Sequence, residues 1–276
     1  GTVRSRADFD GDGKTDLSIF RPSDNNWYLA PSLGGITVIT WGVSGDEPTP
    51  GDFDGDGKAD LAIFRPTAGS TPDFFILQSN GYVINTVSWG DPGDRPVIGD
   101  YDGDGKDDVA VYRQSDNNWY VVKSTGGLDI STFGQAGDVP VPGKFDADAR
   151  TDRAVYRSGV WVIANSTGGT STANWGEAGD RLVPADYDGD NKDDIAVWRP
   201  STGFWYIRRS TNFQLDIFSW GQTGDIPSPG DYDGDGKDDP AVYRNGTWYQ
   251  IRSTQGIAVA GWGVANDVPI PSKYIP

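Results

Sequence analysis

The residues of this chain with the clearest chemistry are aspartates that recur at alternating positions of a short loop. The nonapeptide DFDGDGKTD returns with small changes, and its copies begin at residues 8, 52, 100, 144, 186 and 231. In the first copy aspartates stand at positions 1, 3, 5 and 9, a glycine stands at position 6, and Lys14 at position 7 offers its backbone carbonyl. Hard oxygen ligands arranged in this way around a glycine bend suit Ca²⁺. The loops are therefore predicted to be calcium sites.

Electrostatic repulsion argues against leaving such a loop without a cation. Carboxylates about 5 Å apart repel by roughly 1 kcal/mol per pair even at the dielectric constant of water. Mg²⁺ demands a stricter octahedral geometry, and the loop lacks the last glutamate of an EF-hand, so position 9 is expected to close a calcium site. The competing interpretation is an acidic turn without metal. The predicted ligands of five intact loops are Asp8, Asp10, Asp12, Lys14, Asp16, Asp52, Asp54, Asp56, Lys58, Asp60, Asp100, Asp102, Asp104, Lys106, Asp108, Asp186, Asp188, Asp190, Lys192, Asp194, Asp231, Asp233, Asp235, Lys237 and Asp239.

The fourth loop, Lys144 to Asp152, departs from this pattern. Lys144 replaces the first ligand, and alanines replace both glycines. We expect this loop to have lost calcium, with the Lys144 amine as a substitute cation. The fifth loop has Asn191 at the bend, which is tolerable because Asn enters left-handed backbone conformations more easily than most residues.

The loops belong to a repeat, since successive starts lie 44, 48, 44, 42 and 45 residues apart. Each loop precedes an alternating run that ends in Arg, such as LSIFRP or VAVYRQ, and this alternation is typical of a half-buried strand. Four short strands per unit predict an all-β, six-bladed β-propeller of four-stranded antiparallel blades, with a calcium loop between the first and second strands. Residues 1–276 are predicted to form this single domain, and an open β-solenoid is the alternative.

The repeated string PGDYDGDGKDD, followed by AVYR and accompanied by a recurring WG or FG dipeptide, resembles a known family. It is similar to the FG-GAP or VCBS repeats of integrin-type propellers and of many bacterial secreted proteins. The resemblance covers nearly the whole chain. It implies a calcium site between the first two strands of each blade and a place of work outside the cell, and it implies no particular ligand.

The two chain ends compete for one strand position. The C-terminal run NDVPIPSKYIP aligns with the first strand of a unit, with Lys273 and Tyr274 matching Asp8 and Phe9, while the N-terminal run VRSRADFD claims the same place. Residues 263–276 are therefore expected either to close the propeller or to complete a neighbouring molecule by strand addition, which would give a homo-oligomer or a filament.

Two aromatic series recur once per unit. We expect them to pack between blades, with sugar stacking by exposed rings as the alternative. The first series is Trp27, Phe74 or Phe75, Trp119, Trp161, Trp205 and Trp248, and the second is Trp41, Trp89, Phe133, Trp175, Trp220 and Trp262.

One arginine and one aspartate also recur in every unit. We expect them to form ion pairs between blades, with anion capture as the alternative. The arginines are Arg21, Arg65, Arg113, Arg157, Arg199 and Arg244, and the aspartates are Asp46, Asp94, Asp138, Asp180, Asp225 and Asp267.

Composition narrows the function. A net charge of −17 opposes binding to nucleic acid or to an anionic membrane, and no apolar run is long enough for membrane insertion. The chain has no His and no Cys, and no unit carries an obvious catalytic set of its own, so we expect no enzyme activity. The sequence predicts a secreted or cell-surface binding and adhesion module for a glycan or a protein. One alternative is a fibre subunit assembled by terminal strand exchange, and another is a hydrolase or lyase. The resemblance to FG-GAP or VCBS repeats also implies, as a further alternative, an accessory domain of a polysaccharide-degrading enzyme.

Overall fold

Alternating side chains and frequent glycine turns produce short antiparallel strands throughout the chain. A computed structural model describes residues 6–66 and 72–274. The segment TAGSTPDFF, residues 67–75, is one of the places where the repeats differ most, and it falls partly outside the described residues. The strands in chain order are Leu17–Arg21 (β1), Asn26–Ala30 (β2), Thr37–Thr40 (β3), Glu47–Pro48 (β4), Leu61–Phe64 (β5), Phe74–Leu77 (β6), Ile84–Val87 (β7), Arg95–Pro96 (β8), Val109–Arg113 (β9), Asn118–Val122 (β10), Leu128–Thr132 (β11), Val139–Pro140 (β12), Arg153–Arg157 (β13), Val160–Ala164 (β14), Thr170–Asn174 (β15), Arg181–Leu182 (β16), Ile195–Arg199 (β17), Phe204–Arg208 (β18), Leu215–Ser219 (β19), Ile226–Pro227 (β20), Ala241–Arg244 (β21), Thr247–Arg252 (β22), Gly256–Gly261 (β23) and Val268–Pro269 (β24).

These strands form six four-stranded antiparallel sheets, each of which is one blade. Blade 1 has the order β24-β1-β2-β3, and blades 2 to 6 follow in chain order from β4 to β23. The described residues of 1–44, 57–59 and 176–275 form one compact unit with blades 1, 5 and 6, and those of 45–56 and 60–175 form another with blades 2, 3 and 4. The fold is the predicted all-β, six-bladed β-propeller.

The first strand of each blade has two residues and lies at one edge of its sheet. Proline is its last residue in five blades, as in Pro48 and Pro140. An edge strand can carry proline because one side of its backbone needs no ladder partner.

The first aromatic series forms the core of the blades, as expected. The five tryptophans of this series are 0% exposed, and Phe74, not Phe75, takes their place in blade 2. The indole of Trp27 donates a hydrogen bond of 3.0 Å to the backbone carbonyl of Trp41, which belongs to the second series. The same bond joins the two series in blades 3, 4, 5 and 6.

The second series is half-buried and connects consecutive blades within each unit. The Trp262 indole of blade 6 donates to the Tyr28 carbonyl of blade 1, over 3.2 Å. Trp220 makes the same contact with blade 6, and Trp89 with blade 3. The expected packing role is therefore confirmed for both series in these blades.

The recurrent arginines and aspartates pair as expected, but within a blade and not between blades. In blade 1, Nε and Nη2 of Arg21 donate to the two carboxylate oxygens of Asp267 over 2.8 and 2.9 Å. Asp267 immediately precedes β24, and Arg21 ends β1, its neighbour in the sheet. All six pairs have this form, with 2% or less of each aspartate side chain exposed. The antiparallel pairing of first and second strands brings these two positions together, which the repeat spacing alone did not show.

The C-terminal run supplies the first strand of blade 1. Residues of β24 pair with β1 in the register Ile19 to Pro269 and Phe20 to Val268. A 3₁₀ helix, Ile270–Tyr274, follows, so Lys273 and Tyr274 do not repeat the loop conformation of Asp8 and Phe9. Of the competing N-terminal run, the described part begins at Arg6, which does not join the sheet and donates to the Pro184 carbonyl over 2.8 Å. Among the described residues, the structure contains no helix with the length and apolar character to cross a membrane.

Candidate metal centres

In blades 2 to 6 the aspartate loop connects the first and second strands, as predicted. In blade 1 the loop leads into the second strand, β1, while the first strand, β24, comes from the other end of the chain. We number the loops 1 to 6 from their starts at residues 8, 52, 100, 144, 186 and 231. In loop 6 the position-1 carboxylate of Asp231 accepts backbone hydrogen bonds from Gly234 (2.6 Å) and Gly236 (2.8 Å). Both glycines have positive φ, 80° and 86°, which explains the preference for glycine at the bend. Loops 1, 3 and 5 have the same pair of bonds.

Consecutive loops touch within each unit. The backbone N–H of Thr15 in loop 1 donates to the Asp231 carbonyl of loop 6 over 2.7 Å. A Cβ added at Gly234 would lie 2.8 Å from Cε of Lys14, so any other residue would require this lysine side chain to shift. Lys58, Lys106 and Lys237 likewise cross the first glycine of the loop before their own. The position-7 lysines were predicted only as carbonyl ligands, and their side chains have this additional packing role.

The position-9 aspartates fix each loop to the turn between the third and fourth strands. In loop 6, one oxygen of Asp239 accepts the Tyr232 N–H (3.0 Å) and the other accepts the Ser253 N–H (2.7 Å). The same two bonds occur in every blade, loop 4 included. The closing aspartate is therefore a structural anchor as well as a predicted ligand.

Sequence reasoning missed the serines of that turn. Their signal was present, because each repeat has one serine after its third strand, namely Ser32, Ser79, Ser124, Ser166, Ser210 and Ser253. In loop 1 the Ser32 hydroxyl also donates to the position-5 aspartate Asp12. The neighbouring residue contacts position 3, as when the Thr254 N–H and hydroxyl donate to Asp233 over 2.9 and 2.6 Å.

Five loops bring three carboxylates together. In each group, one oxygen per residue lies within 4.8 Å of the others. The groups are Asp8, Asp10 and Asp16; Asp52, Asp54 and Asp56; Asp100, Asp102 and Asp108; Asp186, Asp188 and Asp194; and Asp231, Asp233 and Asp239. Positions 1, 3 and 9 thus converge in four loops, and positions 1, 3 and 5 in loop 2. Among the remaining predicted ligands, Asp12, Asp104, Asp190 and Asp235 accept the backbone N–H of position 7 in their own loops.

Burial disfavours the charged form of the position-9 carboxylates in these groups. At Asp233 burial also raises the pKa, but hydrogen bonds from Thr254 and its neighbours outweigh burial and lower the pKa. Burial raises the pKa of Asp16, Asp194 and Asp239 to about 7; backbone hydrogen bonds oppose the rise and neighbouring carboxylates add to it. Burial likewise raises the pKa of Asp60 to about 6. A divalent cation among these oxygens would remove the repulsion.

Two carboxylate oxygens provide a separate test of whether a cation fits. Oδ1 of Asp188 and Oδ1 of Asp233 are buried and accept no hydrogen bond within the described part of the chain. Both residues stand at position 3 and belong to a three-carboxylate group. A buried charged oxygen without a partner is costly, and a hard oxygen acceptor matches calcium. The donor sets of loops 5 and 6 therefore fit a calcium ion.

Loop 4 neutralises its carboxylates by other means. Arg150, at position 7, forms an ion pair of 2.7 Å with Asp148 and donates to the Ser166 carbonyl. Although burial raises the pKa of Asp146, hydrogen bonds from Thr167 and its neighbours outweigh burial and lower the pKa to about 2. The structure adds Arg150 as a cation of this loop, paired with Asp148, and the expected role of the Lys144 amine stays a prediction. The expected absence of calcium from loop 4 stays a prediction.

Comparisons with known proteins agree with the repeat. A family model described as an FG-GAP-like repeat matches residues 8–63, and the FG-GAP repeat model matches residues 44–84. No curated protein sequence matches the chain significantly.

Solved structures share the fold at low sequence identity. Virginiamycin B lyase from Staphylococcus aureus has a TM-score of 0.55 and 9% identity, over 95% of this chain and 88% of that chain. An Agrocybe aegerita lectin that recognises non-reducing terminal N-acetylglucosamine has a TM-score of 0.58 and 14% identity, over 89% and 75%. PorZ, a surface component of the type-IX secretion system of Porphyromonas gingivalis, has a TM-score of 0.51 and 11% identity, over 87% and 31%. These likenesses concern the fold alone. The matched FG-GAP repeats and the six four-stranded blades show that this chain is an FG-GAP-type β-propeller.

Proposed function

We propose that this chain is a calcium-loaded, non-enzymatic β-propeller that works outside the cell as a binding and adhesion module for a glycan or a protein. The observation that carries the proposal is the set of five three-carboxylate groups, two of which contain a buried oxygen without a hydrogen-bond partner. Calcium would be held by the aspartates of these groups, with the position-7 carbonyls as further ligands. Bound calcium supplies charge neutralisation and rigidity, and the serine turns and backbone amides position the carboxylates.

Calcium at the concentration found outside cells would fill sites of the affinity typical of extracellular modules. A site with a dissociation constant near 10⁻⁴ M gains about 1.4 kcal/mol from roughly 1 mM calcium, so five sites gain about 7 kcal/mol. That is comparable with the whole stability of an ordinary domain. Five calcium ions would also add ten positive charges to the net charge of −17. The FG-GAP repeats support an extracellular location, because they are typical of extracellular proteins.

Two of the proteins with a similar fold represent the two possible roles, binding and catalysis. One is a lectin and another is a lyase, both below 15% identity to this chain. The absence of His and Cys from the sequence favours the binding role, since the usual proton shuttle and thiol nucleophile are not available. An accessory role beside a polysaccharide-degrading domain is compatible with the same proposal.

The test of this proposal has two parts. Elemental analysis of protein purified in calcium should find about one calcium per intact loop, and a glycan array probed in calcium and in chelator should show calcium-dependent binding. Far less calcium in a compact protein would contradict the metal assignment. Turnover of a polysaccharide by the chain alone would contradict the non-enzymatic role.

The fibre alternative depends on β24. Because β24 pairs with β1 of its own chain, a fibre would require β24 to leave blade 1 and enter another molecule. Sedimentation of the whole chain and of a variant lacking residues 267–276 separates the two cases. Large assemblies that disappear on deletion would favour the fibre.

A further inference from the structure

Blade 5 differs from its neighbours at the turn between its third and fourth strands. The turns of blades 1, 3, 4 and 6 place glycines in the left-handed region, namely Gly34, Gly35, Gly126, Gly127, Gly168, Gly169 and Gly256. In blade 5 this place belongs to Phe213, with a φ of 59°. A bulky side chain is rare in this region, and such outliers collect at functional sites.

A second departure from the repeat contacts the first. The last residue of β18 is Arg208, and its guanidinium carbon lies 4.8 Å from the centre of the Phe213 ring. The equivalent residue of the third strand is apolar in every other blade: Ala30, Leu77, Val122, Ala164 and Ile251. Two exceptional residues in contact indicate a role that the ordinary repeat does not need.

Both side chains retain binding capacity. Phe213 is 65% exposed, so the arginine does not bury it. Within the described residues Arg208 forms no ion pair and donates no side-chain hydrogen bond. The adjacent Arg209, in contrast, pairs with Asp216 over 2.6 Å. An exposed ring next to an arginine without an acidic partner offers an apolar surface and a set of oriented donors at one point.

We propose that Phe213 and Arg208 form a binding site for a sugar residue that carries a carboxylate, an inference that rests on the glycan-binding function proposed above. Because the guanidinium lies over one face of the Phe213 ring, a pyranose bound to the guanidinium contacts the exposed edge of the ring through its C–H groups. The planar guanidinium matches a carboxylate in a bidentate fork, and its contact with the ring orients it for this pairing.

The charge of the whole chain restricts the ligand further. A net charge of −17, or −7 with five calcium ions, repels a polyanion over most of the surface. The site therefore suits one acidic sugar on an otherwise neutral chain.

Blade 2 provides a matched control. Its turn also carries an aromatic residue in the left-handed region, Tyr82 with a φ of 55° and 64% exposure. Leu77 takes the place of Arg208 in this blade. The ring is thus present without the guanidinium, and we expect no acidic-sugar site there.

The experiment compares a trisaccharide that ends in glucuronic acid with the same trisaccharide ending in glucose, by calorimetric titration of the full chain in millimolar calcium. The acidic form should bind at least about tenfold more tightly. R208I, which introduces the residue of blade 6, and F213G, which introduces the residue of four other blades, should each weaken binding of the acidic form by about tenfold or more. Y82G should leave its affinity unchanged.

The melting temperature of F213G shows whether this substitution weakens binding directly or by destabilising the fold. F213G should melt at the same or a higher temperature than the unmodified chain, because glycine adopts this backbone conformation without strain. Equal affinity for both trisaccharides, or unchanged binding by R208I and F213G, would overturn the site. Binding of an acidic peptide and of no sugar, with the same dependence on R208I and F213G, would overturn the sugar assignment. A different glycan that binds all these variants equally would overturn this site while leaving the proposed function intact.

Discussion

Asp233 of loop 6 offers a sharp test of the calcium assignment. One of its oxygens accepts hydrogen bonds from Thr254, and the other, Oδ1, is buried without a partner. In the variant Asp233→Asn the amide oxygen can keep the Thr254 contacts, while the NH₂ group takes the place of the unpartnered oxygen. The substitution thus removes one negative charge and changes the shape of the side chain very little.

The magnitude follows from the charge that is lost. A divalent ion about 2.4 Å from a carboxylate oxygen gains roughly 3.5 kcal/mol even at the dielectric constant of water. If most of this attraction between the ion and the carboxylate is lost, the site no longer binds calcium at roughly 1 mM. The chain then loses the stabilisation of about 1.4 kcal/mol that the bound ion supplies. For a chain of 276 residues this corresponds to a melting temperature lower by about 2 °C.

The assay is differential scanning calorimetry in calcium and in chelator, with Asp146→Asn of loop 4 as the matched control. Asp233→Asn should lower the melting temperature more in calcium than in chelator, because only the calcium-bound state loses an ion contact, whereas the hydrogen bonds that lower the pKa of Asp233 are weakened in both conditions. Both oxygens of Asp146 accept hydrogen bonds, so its substitution should lower the melting temperature equally in both conditions. Parallel behaviour of the two variants, or an unchanged calcium stoichiometry in Asp233→Asn, would refute the reasoning.

Three further predictions concern the whole chain. Chelation should lower the melting temperature by about 10 °C, the equivalent of about 7 kcal/mol spread over five sites, and an unchanged value in calorimetry would contradict it. Because burial raises the pKa of Asp16, Asp194 and Asp239 to about 7 from 3.8, the metal-free folded state binds more protons than the unfolded chain, and its stability should fall as pH rises through this range. Calcium should therefore raise the melting temperature more at pH 8 than at pH 5, which scans in calcium and chelator at each pH can check. Asp267→Asn should lower the free energy of unfolding by about 2 kcal/mol, somewhat less than the loss of a fully buried pair. Asp46→Asn, which breaks the equivalent pair in blade 2, is its control. A loss of stability in Asp46→Asn but not in Asp267→Asn would show that β24 is not paired with β1 in solution.

The repeat made much of the fold predictable. Position 9 of the loop and the Arg that ends the second strand were visible because each recurs in every unit. The sequence did not show that Arg21 meets Asp267 inside one sheet, because strand pairing and not spacing decides that contact. The serines that follow the third strand recur in every unit, but their contact with the position-9 aspartates was missed because their spacing from these aspartates varies. The hairpin between Asp16 and Ser32 differs in length from that between Asp60 and Ser79.

The exceptions in single blades were harder to predict. Arg150 and Lys144 are both cations in loop 4, and only the folded loop shows that Arg150 reaches Asp148. In blade 5 Arg208 ends β18 and Phe213 lies in the turn that follows, and their separation in sequence gives no sign of contact. Departures from a repeat can be found by alignment of the units, but whether two departures meet depends on how the hairpin folds.

The pairing of β24 with β1 makes the position of the chain ends almost arbitrary. In blade 1 the first strand arrives from the far end of the polypeptide, yet it uses the same arginine fork and the same two-residue ladder as the blades whose first strand is covalently continuous with the next loop. The same contacts form whether or not the first strand is connected directly to the loop of its own blade. Circular permutants that are opened between the first strand and the loop of another blade, with the present ends joined by a linker, should therefore fold to the same six blades.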